Sequence, residues 1–316
     1  MKRMLPMLRV ICVLALTLIV LSIKSFSQLS INTSDLEAGI TIAPSNFLGD
    51  LGGTKGKGGN FLKDNNLSNT RILVSGHVSV RATDWLYARL AATYGNIGGD
   101  DAMIKANGGL EEARKTRNQN FRSKISEAYV AAEIYPTVFL ESDPSTFFHK
   151  LRPYAIAGIG VFHFNPEGKD PLTGEWVKLH PLHLEGQGFP EYADRKNYGL
   201  TQINIPLGFG IKYYTSETVS ISLEALMRKT FSDYIDDVST TYIDPNLFFQ
   251  HLDQASAIVA NRMFDKSVGA ANRNSGGKRG SPANKDSYYA VGFKISFRLG
   301  GNGYGSLRCP LITRKY

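Results

Sequence analysis

Tyr288 to Leu299 constrains this chain more than any other stretch. Tyr289, Val291, Phe293, Ile295, Phe297 and Leu299 fall on one face, and Tyr288, Ala290, Gly292, Lys294, Ser296 and Arg298 on the other. A period of two is a strand. One face is apolar throughout and the other is small or cationic. A soluble sandwich turns its charged face to water. A membrane barrel turns its apolar face to lipid and its charged face to the lumen. The second arrangement is expected, with this strand closing the barrel.

Seven earlier segments alternate in the same way: about Leu36–Ala43, Thr70–Arg81, Trp85–Gly95, Phe121–Tyr135, Pro153–Phe164, Gly199–Tyr214 and Thr218–Asp233. The fifth is small and apolar on both faces, so its orientation stays open. Pro206 donates no ladder bond and predicts a bulge or a local break in pairing. The connections alternate in length. Pro44–Asn69, Asn96–Asn120, Asn165–Tyr198 and Tyr234–Asp286 are long; Ala82–Asp84 and Thr215–Glu217 are short, and Pro136–Arg152 is intermediate. Short periplasmic turns and long outer loops produce this pattern. The expected fold is therefore all-β, an eight-stranded antiparallel transmembrane barrel in the outer membrane of a Gram-negative bacterium.

Lys2, Arg3 and Arg9 precede an apolar run, Val10–Ile23, and small residues follow at Ser25 and Ser27. This is the pattern of a secretory signal peptide, expected over residues 1–28. The barrel domain is expected over 29–300 and a tail over 301–316. No later stretch approaches the roughly 18 apolar residues of a spanning helix. Cys309 is the sole cysteine beyond the leader, so no internal disulfide is expected. The formal charge of +8 is concentrated in the leader and tail, and no nucleic-acid footprint remains.

Aromatic residues gather at both strand ends. Trp85, Tyr87, Tyr135, Tyr154, Tyr213, Tyr214 and Phe297 lie at the short-turn end. Tyr94, Phe121, Phe162, Phe164, Phe231, Tyr288 and Tyr289 lie at the long-loop end. These two bands read as interfacial girdles. The inner faces are assigned Glu37, Arg71, His77, Arg81, Arg89, Glu127, Glu133, Lys212, Glu224, Arg228, Lys294 and Arg298. Eight strands leave an interior that side chains fill, so these charges are expected to pair as a plug rather than conduct.

Signals for catalysis are weak. His180-Pro-Leu-His183 has metal-like spacing, but Pro181 interrupts helical presentation. His77 near Ser75 and Ser79 is weak support for a Ser–His pair, because i and i±2 neighbours on a strand share a face in any sequence. Gly52–Gly59 fails the spacing of a phosphate loop. No catalytic residue, cofactor or metal is expected. The last long loop is basic and turn-rich over Asn272–Asp286, and its upstream part, Asp244–Leu252 and Ala255–Phe264, reads as short helix. Apolar residues there need cover, which predicts a loop folded over the barrel mouth or against a partner.

Two blocks resemble the PorG-like outer-membrane proteins of Bacteroidetes. Pro44-Ser-Asn-Phe-Leu-Gly49-Asp50-Leu51 follows the first strand as that family's "N-Y/F-L-G-D-L" segment does. Lys278-Arg279-Gly280-Ser281 and Lys285-Asp286-Ser287-Tyr288 are similar to its "KRG(N/S)…KDWY" closing stretch, with Ser287 and Tyr288 standing where Trp-Tyr is usual. The resemblance implies a non-enzymatic component of the type IX secretion system that ties a periplasmic ring, a PorK-like lipoprotein with a PorN-like subunit, to the outer membrane. The short-turn segment Pro136–Arg152 carries the partner-contact candidates Phe139, Phe147 and Phe148. The rival reading is an outward-facing binding or adhesion barrel working through its long loops. A barrel enzyme is a third, disfavoured by the lack of a triad.

Overall fold

The computed structural model describes residues 35–53, 66–105, 108–109, 111–140, 150–268 and 275–299. The expected signal peptide and tail and most of the Gly52–Gly59 run lie outside them, as do Phe147 and Phe148.

Eight long strands close on themselves. They are β1 (Leu36–Leu48), β2 (Arg71–Arg81), β3 (Leu86–Asp100), β4 (Asn120–Ile134), β5 (Leu151–His163), β8 (Thr201–Tyr214), β9 (Val219–Thr230) and β10 (Ser287–Arg298). Every neighbour is antiparallel. β1 pairs with both β2 and β10, and β3 pairs with β4, so the cylinder has no open edge. Two short strands, β6 (Pro166–Lys169) and β7 (Trp176–Lys178), extend the sheet at the long-loop end. β6 continues β5 in the same register on β4: Ser126 faces His163, and Arg122 faces Glu167.

The inward parity is as read for seven strands, and β5 now has its orientation. Arg152, Tyr154, Ile156, Gly160 and Phe162 are buried inside, while Pro153, Ala155, Ala157, Ile159 and Val161 face out. Pro206 produces a break and no bulge. The β5–β8 ladder lapses between Ala157↔Leu207 and Gly160↔Asn204 but resumes at the same offset, and the β9 side is continuous. Pro44 does the same between β1 and β10. In each case the missing N–H belongs to one flank only.

The outer wall is apolar on every barrel strand. Ile40 and Ile42, Ile72 and Val74, Leu90, Val130, Ile159, Ile203 and Phe209, Leu223, and Phe293 and Ile295 are all well exposed. An uninterrupted apolar belt around a closed barrel is incompatible with water and matches lipid. No described helix is long and apolar enough to cross a membrane.

The aromatic girdles need correction. Trp85 and Phe297 at one end, and Tyr94 and Phe231 at the other, are exposed as expected. Tyr87, Tyr135, Tyr154 and Tyr214 are instead buried in the lumen at the short-turn end, and Phe121, Phe162, Phe164 and Tyr288 at the long-loop end. The cause is strand parity, which sends these side chains inward. They form an internal floor and ceiling.

The long loops fold into a cap with a core of its own. α1 (Glu112–Arg117), α2 (Asn246–His251) and α3 (Gln254–Phe264) belong to it. Leu179, Leu184, Phe189, Tyr242, Phe248, Met263 and Phe264 pack together above the barrel. Asp253 caps α3 by accepting from the N–H groups of Ala255 and Ser256. A second apolar layer, Phe47, Leu51, Ile97, Phe121, Phe164, Ile235 and Val238, joins the cap to the barrel ceiling.

Candidate functional site: the lumen and its lock

Below the ceiling the lumen holds the charged residues singled out in the sequence. Arg89 on β3 reaches across to β9, donating from Nη1 and Nη2 to the two Glu224 oxygens at 3.0 and 2.8 Å. It also pairs with Glu133 on β4. Glu224 accepts from Tyr154 Oη at 2.6 Å and from Lys294 Nζ at 3.2 Å. Nearer the short turns, Lys212 pairs with Glu37 and lies over the rings of Tyr87, Tyr135 and Tyr214. Nearer the cap, Glu127 meets Arg228 at 3.3 Å and Asn204 at 2.6 Å.

Three predicted members sit apart from this network. Arg81 pairs with Asp35 at the short-turn rim. Arg298 lines a small recess there with Asp35, Glu37, Arg81 and Tyr87. Arg71 lies at the opposite rim, donating to the Thr70 carbonyl. Arg152, absent from the sequence prediction, is buried over the Tyr214 ring. The sequence reading starts this strand at Pro153 and leaves Arg152 in the preceding connection, whereas β5 begins at Leu151.

Between floor and ceiling lies a cavity of about 20 Å³, lined by His77, Arg89, Tyr129, Glu224 and Arg228 among others. That is room for about one water. Such an interior positions charges across the sheet around a space of that size. His77 Nε2 is bonded to Ser296 Oγ at 3.1 Å, Ser79 to Glu133 and Ser75 to Thr93, so neither Ser75 nor Ser79 pairs with His77. His180 Nε2 faces the Tyr198 carbonyl at 3.0 Å, and its ring is 6.4 Å from that of His183. Among the described residues no group of three or more His, Cys, Asp or Glu side chains is placed to hold a metal.

The two family-like blocks converge over the mouth. Arg279 Nη1 donates to Glu185 Oε1 at 2.9 Å and to the Asp237 carbonyl at 2.5 Å. Glu185 also accepts from the Ser239 and Thr240 N–H groups. Arg117, at the end of α1, donates to the Arg279 carbonyl, the Asp50 carbonyl and the Asp101 carboxylate at 2.6 to 2.7 Å. Asp50 accepts from Ser281 N–H, Asp236 from Leu51 N–H, and Asp286 from Ile235 N–H. A Cβ on Gly280 would lie 2.6 Å from Asp50 Oδ2 and 2.7 Å from Ser239 N; one on Gly49 would collide with Phe47 and Asp286. Tyr288 carries the second block into the lumen, where its hydroxyl meets Asn204 and Glu127. Lys278 and Lys285 stay at the surface.

This lock is rich in carboxylates. Burial pushes Asp233 and Asp237 up to about 7, with the neighbouring Asp50 charge adding to the rise at Asp233. Burial also raises Asp50, Asp236 and Asp286, the last two strongly; the Asp50 charge adds to the rise at Asp236, and the Asp236 charge to that at Asp286.

A closed barrel with an apolar belt, a paired interior, short turns at one end and a folded cap at the other defines the class. The chain is an eight-stranded β-barrel protein of the outer membrane of Gram-negative bacteria. No family model matches it, and no curated protein does. Among solved structures it is similar to Neisserial surface protein A, at 9% identity and a TM-score of 0.37, covering 84% of this chain and 97% of that one. It is also similar to the attachment invasion locus protein of Yersinia pestis (8%, TM-score 0.33, covering 83% and 98%) and to OprG from Pseudomonas aeruginosa (10%, 0.31, covering 83% and 94%). Likenesses at this level carry no functional weight, and the class rests on the barrel itself.

Proposed function

We propose that this protein is a non-enzymatic, non-conducting scaffold of type IX protein secretion, anchoring a periplasmic ring to the outer membrane. The observation that carries the reading is the convergence of Gly49-Asp50-Leu51 with Arg279-Gly280 and Asp286 in one buried lock. Two short resemblances at opposite ends of a chain are weak separately. Joined by direct hydrogen bonds, they describe one structural unit.

The contact with the ring falls at the short-turn end. Trp85 packs on Phe139 with ring centroids 5.8 Å apart, and Phe139 and Leu140 are 68% and 82% exposed. Exposed aromatics beside a rigid barrel rim suit a protein hot spot. Phe147 and Phe148 remain contact candidates of the same segment. The partners are a PorK-like lipoprotein and a PorN-like ring subunit, with outer-membrane lipid around the wall.

The test is photocrosslinking from position 139 in intact outer membranes, read by mass spectrometry. A periplasmic lipoprotein and its ring partner are expected. The separate hydrophobic core of the cap favours a second reading, a barrel that binds ligands outside the cell. Crosslinks confined to cap positions, with none from 139, select it over the first.

A further inference from the structure

The wall formed by β3, β4, β6 and β7 stands higher than the rest of the barrel. β3 and β4 remain paired to Asp100↔Asn120, and the β6–β7 hairpin widens the sheet beside them. The inner face of this extension is covered: a Cβ on Gly168 would meet Met263 and Leu179, and Val177 packs on the cap core. The outer face carries Arg122 and Lys124 on β4, Glu167 and Lys169 on β6, and Trp176 and Lys178 on β7.

Cross-strand pairing places these side chains in adjacent rows. Arg122 is opposite Glu167, Glu167 opposite Lys178, and Lys169 opposite Trp176. Arg122 bonds Glu167 at 2.8 Å and lies 4.4 Å from the Trp176 ring centre, with 43% of its side chain still exposed. Lys124, Lys169 and Lys178 are exposed and form no ion pair with any described residue. Among the described residues Glu167, and Asp100 at the rim, are the acidic groups of the face, so a surplus of positive charge remains.

Height decides what meets that charge. The lipid-facing side of β4 runs Ile134, Ala132, Val130, Ala128, Ser126 and then Lys124. Ten strand residues at the usual rise and tilt lift Lys124 about 26 Å above Ile134. The apolar band of such barrels is about 25 Å tall. Lys124 therefore stands at the outer boundary of the hydrocarbon, and Arg122 and Lys178 one row above it. Trp176 stands one row above Arg122 and Lys178, half-buried with its indole against the Arg122 guanidinium.

The geometry points to a lipid-binding ledge here: Arg122, Lys124 and Lys178 hold the phosphate of a phosphorylated lipid headgroup in the outer leaflet, and Trp176, in the row above, packs on Arg122 and holds that guanidinium in place. Cations above an apolar wall reward a ligand with phosphate and acyl chains together. The ledge holds the cap wall at a fixed depth by this contact. It is independent of the secretion reading, since it lies on the outer wall away from the short turns.

The experiment uses the full chain in phosphatidylcholine nanodiscs with and without bisphosphorylated lipid A. Native mass spectrometry counts bound lipid A, and Trp176 emission is followed in a W85F background. The double variant K124Q/K178Q is expected to weaken lipid A binding about tenfold or more, at the usual contribution of a surface cation near anionic lipid. Dephosphorylated lipid A should bind the unmodified protein as poorly. The K285Q control, in the exposed cap, should bind normally. Both lysines are exposed, so the barrel's heat-dependent gel shift should be retained in the double variant. Lipid A binding unchanged in K124Q/K178Q overturns the ledge. Displacement of lipid A by millimolar inorganic phosphate would show a site for soluble anions and overturn the lipid assignment.

Discussion

Arg279 and Glu185 form an ion pair 2.9 Å long with both side chains almost wholly removed from solvent. One comes from the last long loop and the other from the third, so the pair stitches the two largest cap segments together. Arg279→Ala strands the Glu185 carboxylate in a buried site, at a cost of about 3–5 kcal/mol. The belt and lumen are untouched. Limited proteolysis should therefore cut the cap of the variant while the barrel keeps its heat-dependent gel shift. A cap as resistant as the original would contradict the lock.

The lock should weaken as pH rises. Burial raises Asp233 and Asp237 from the ordinary carboxylate range to about 7, so the folded cap holds protons that an opened cap has lost. When the folded form binds more protons, stability falls with increasing pH. The contribution is complete below about pH 4 and is lost as pH passes through 7. Hydrogen exchange at 232–240 should be slower at pH 5 than at pH 8 after correction for intrinsic rates. Asp237→Asn should flatten the difference; an equal slope in the variant would place the effect elsewhere.

Gly280 is required by contact, not by backbone angle. Gly280→Ala would push a methyl against Asp50 Oδ2 and the Ser239 backbone, separating the two blocks. Overpacking of this kind costs about 1–3 kcal/mol. The expected result is a lower melting point for the cap with little change in barrel unfolding. Gly276→Ala, at φ 83° with nothing within 4 Å of the new methyl, tests backbone strain alone.

The lumen network should hold the barrel shut. Glu224→Ala removes the carboxylate shared by Arg89, Tyr154 and Lys294 and should cost about 3–5 kcal/mol in urea unfolding from detergent micelles. The unmodified protein in planar bilayers should show no large steady conductance. Reproducible open channels of uniform size would sink the sealed interior.

Sequence by itself determined the barrel. A side-chain period of two fixes which face of a strand meets lipid, and alternating loop length fixes which end is which, since both are local properties of the chain. β10 was fully legible for that reason, and so were Glu37, Arg89, Glu133, Lys212, Glu224 and Lys294 as inward residues. Tertiary structure alone decided the rest. β5 has two apolar faces, so only its pairing with β4 and β8 turns Arg152 and Tyr154 inward. Pro206 predicted a defect, but whether it is a bulge or a lapse depends on which flank lacks the N–H. Clustering of aromatics by height suggests girdles, whereas parity and closure make eight of the fourteen a floor and a ceiling. The lock was beyond any local signal: Asp50, Arg117, Glu185 and Arg279 lie in four different loops. Their hydrogen bonds exist only because closure of the barrel brings those loops to one mouth.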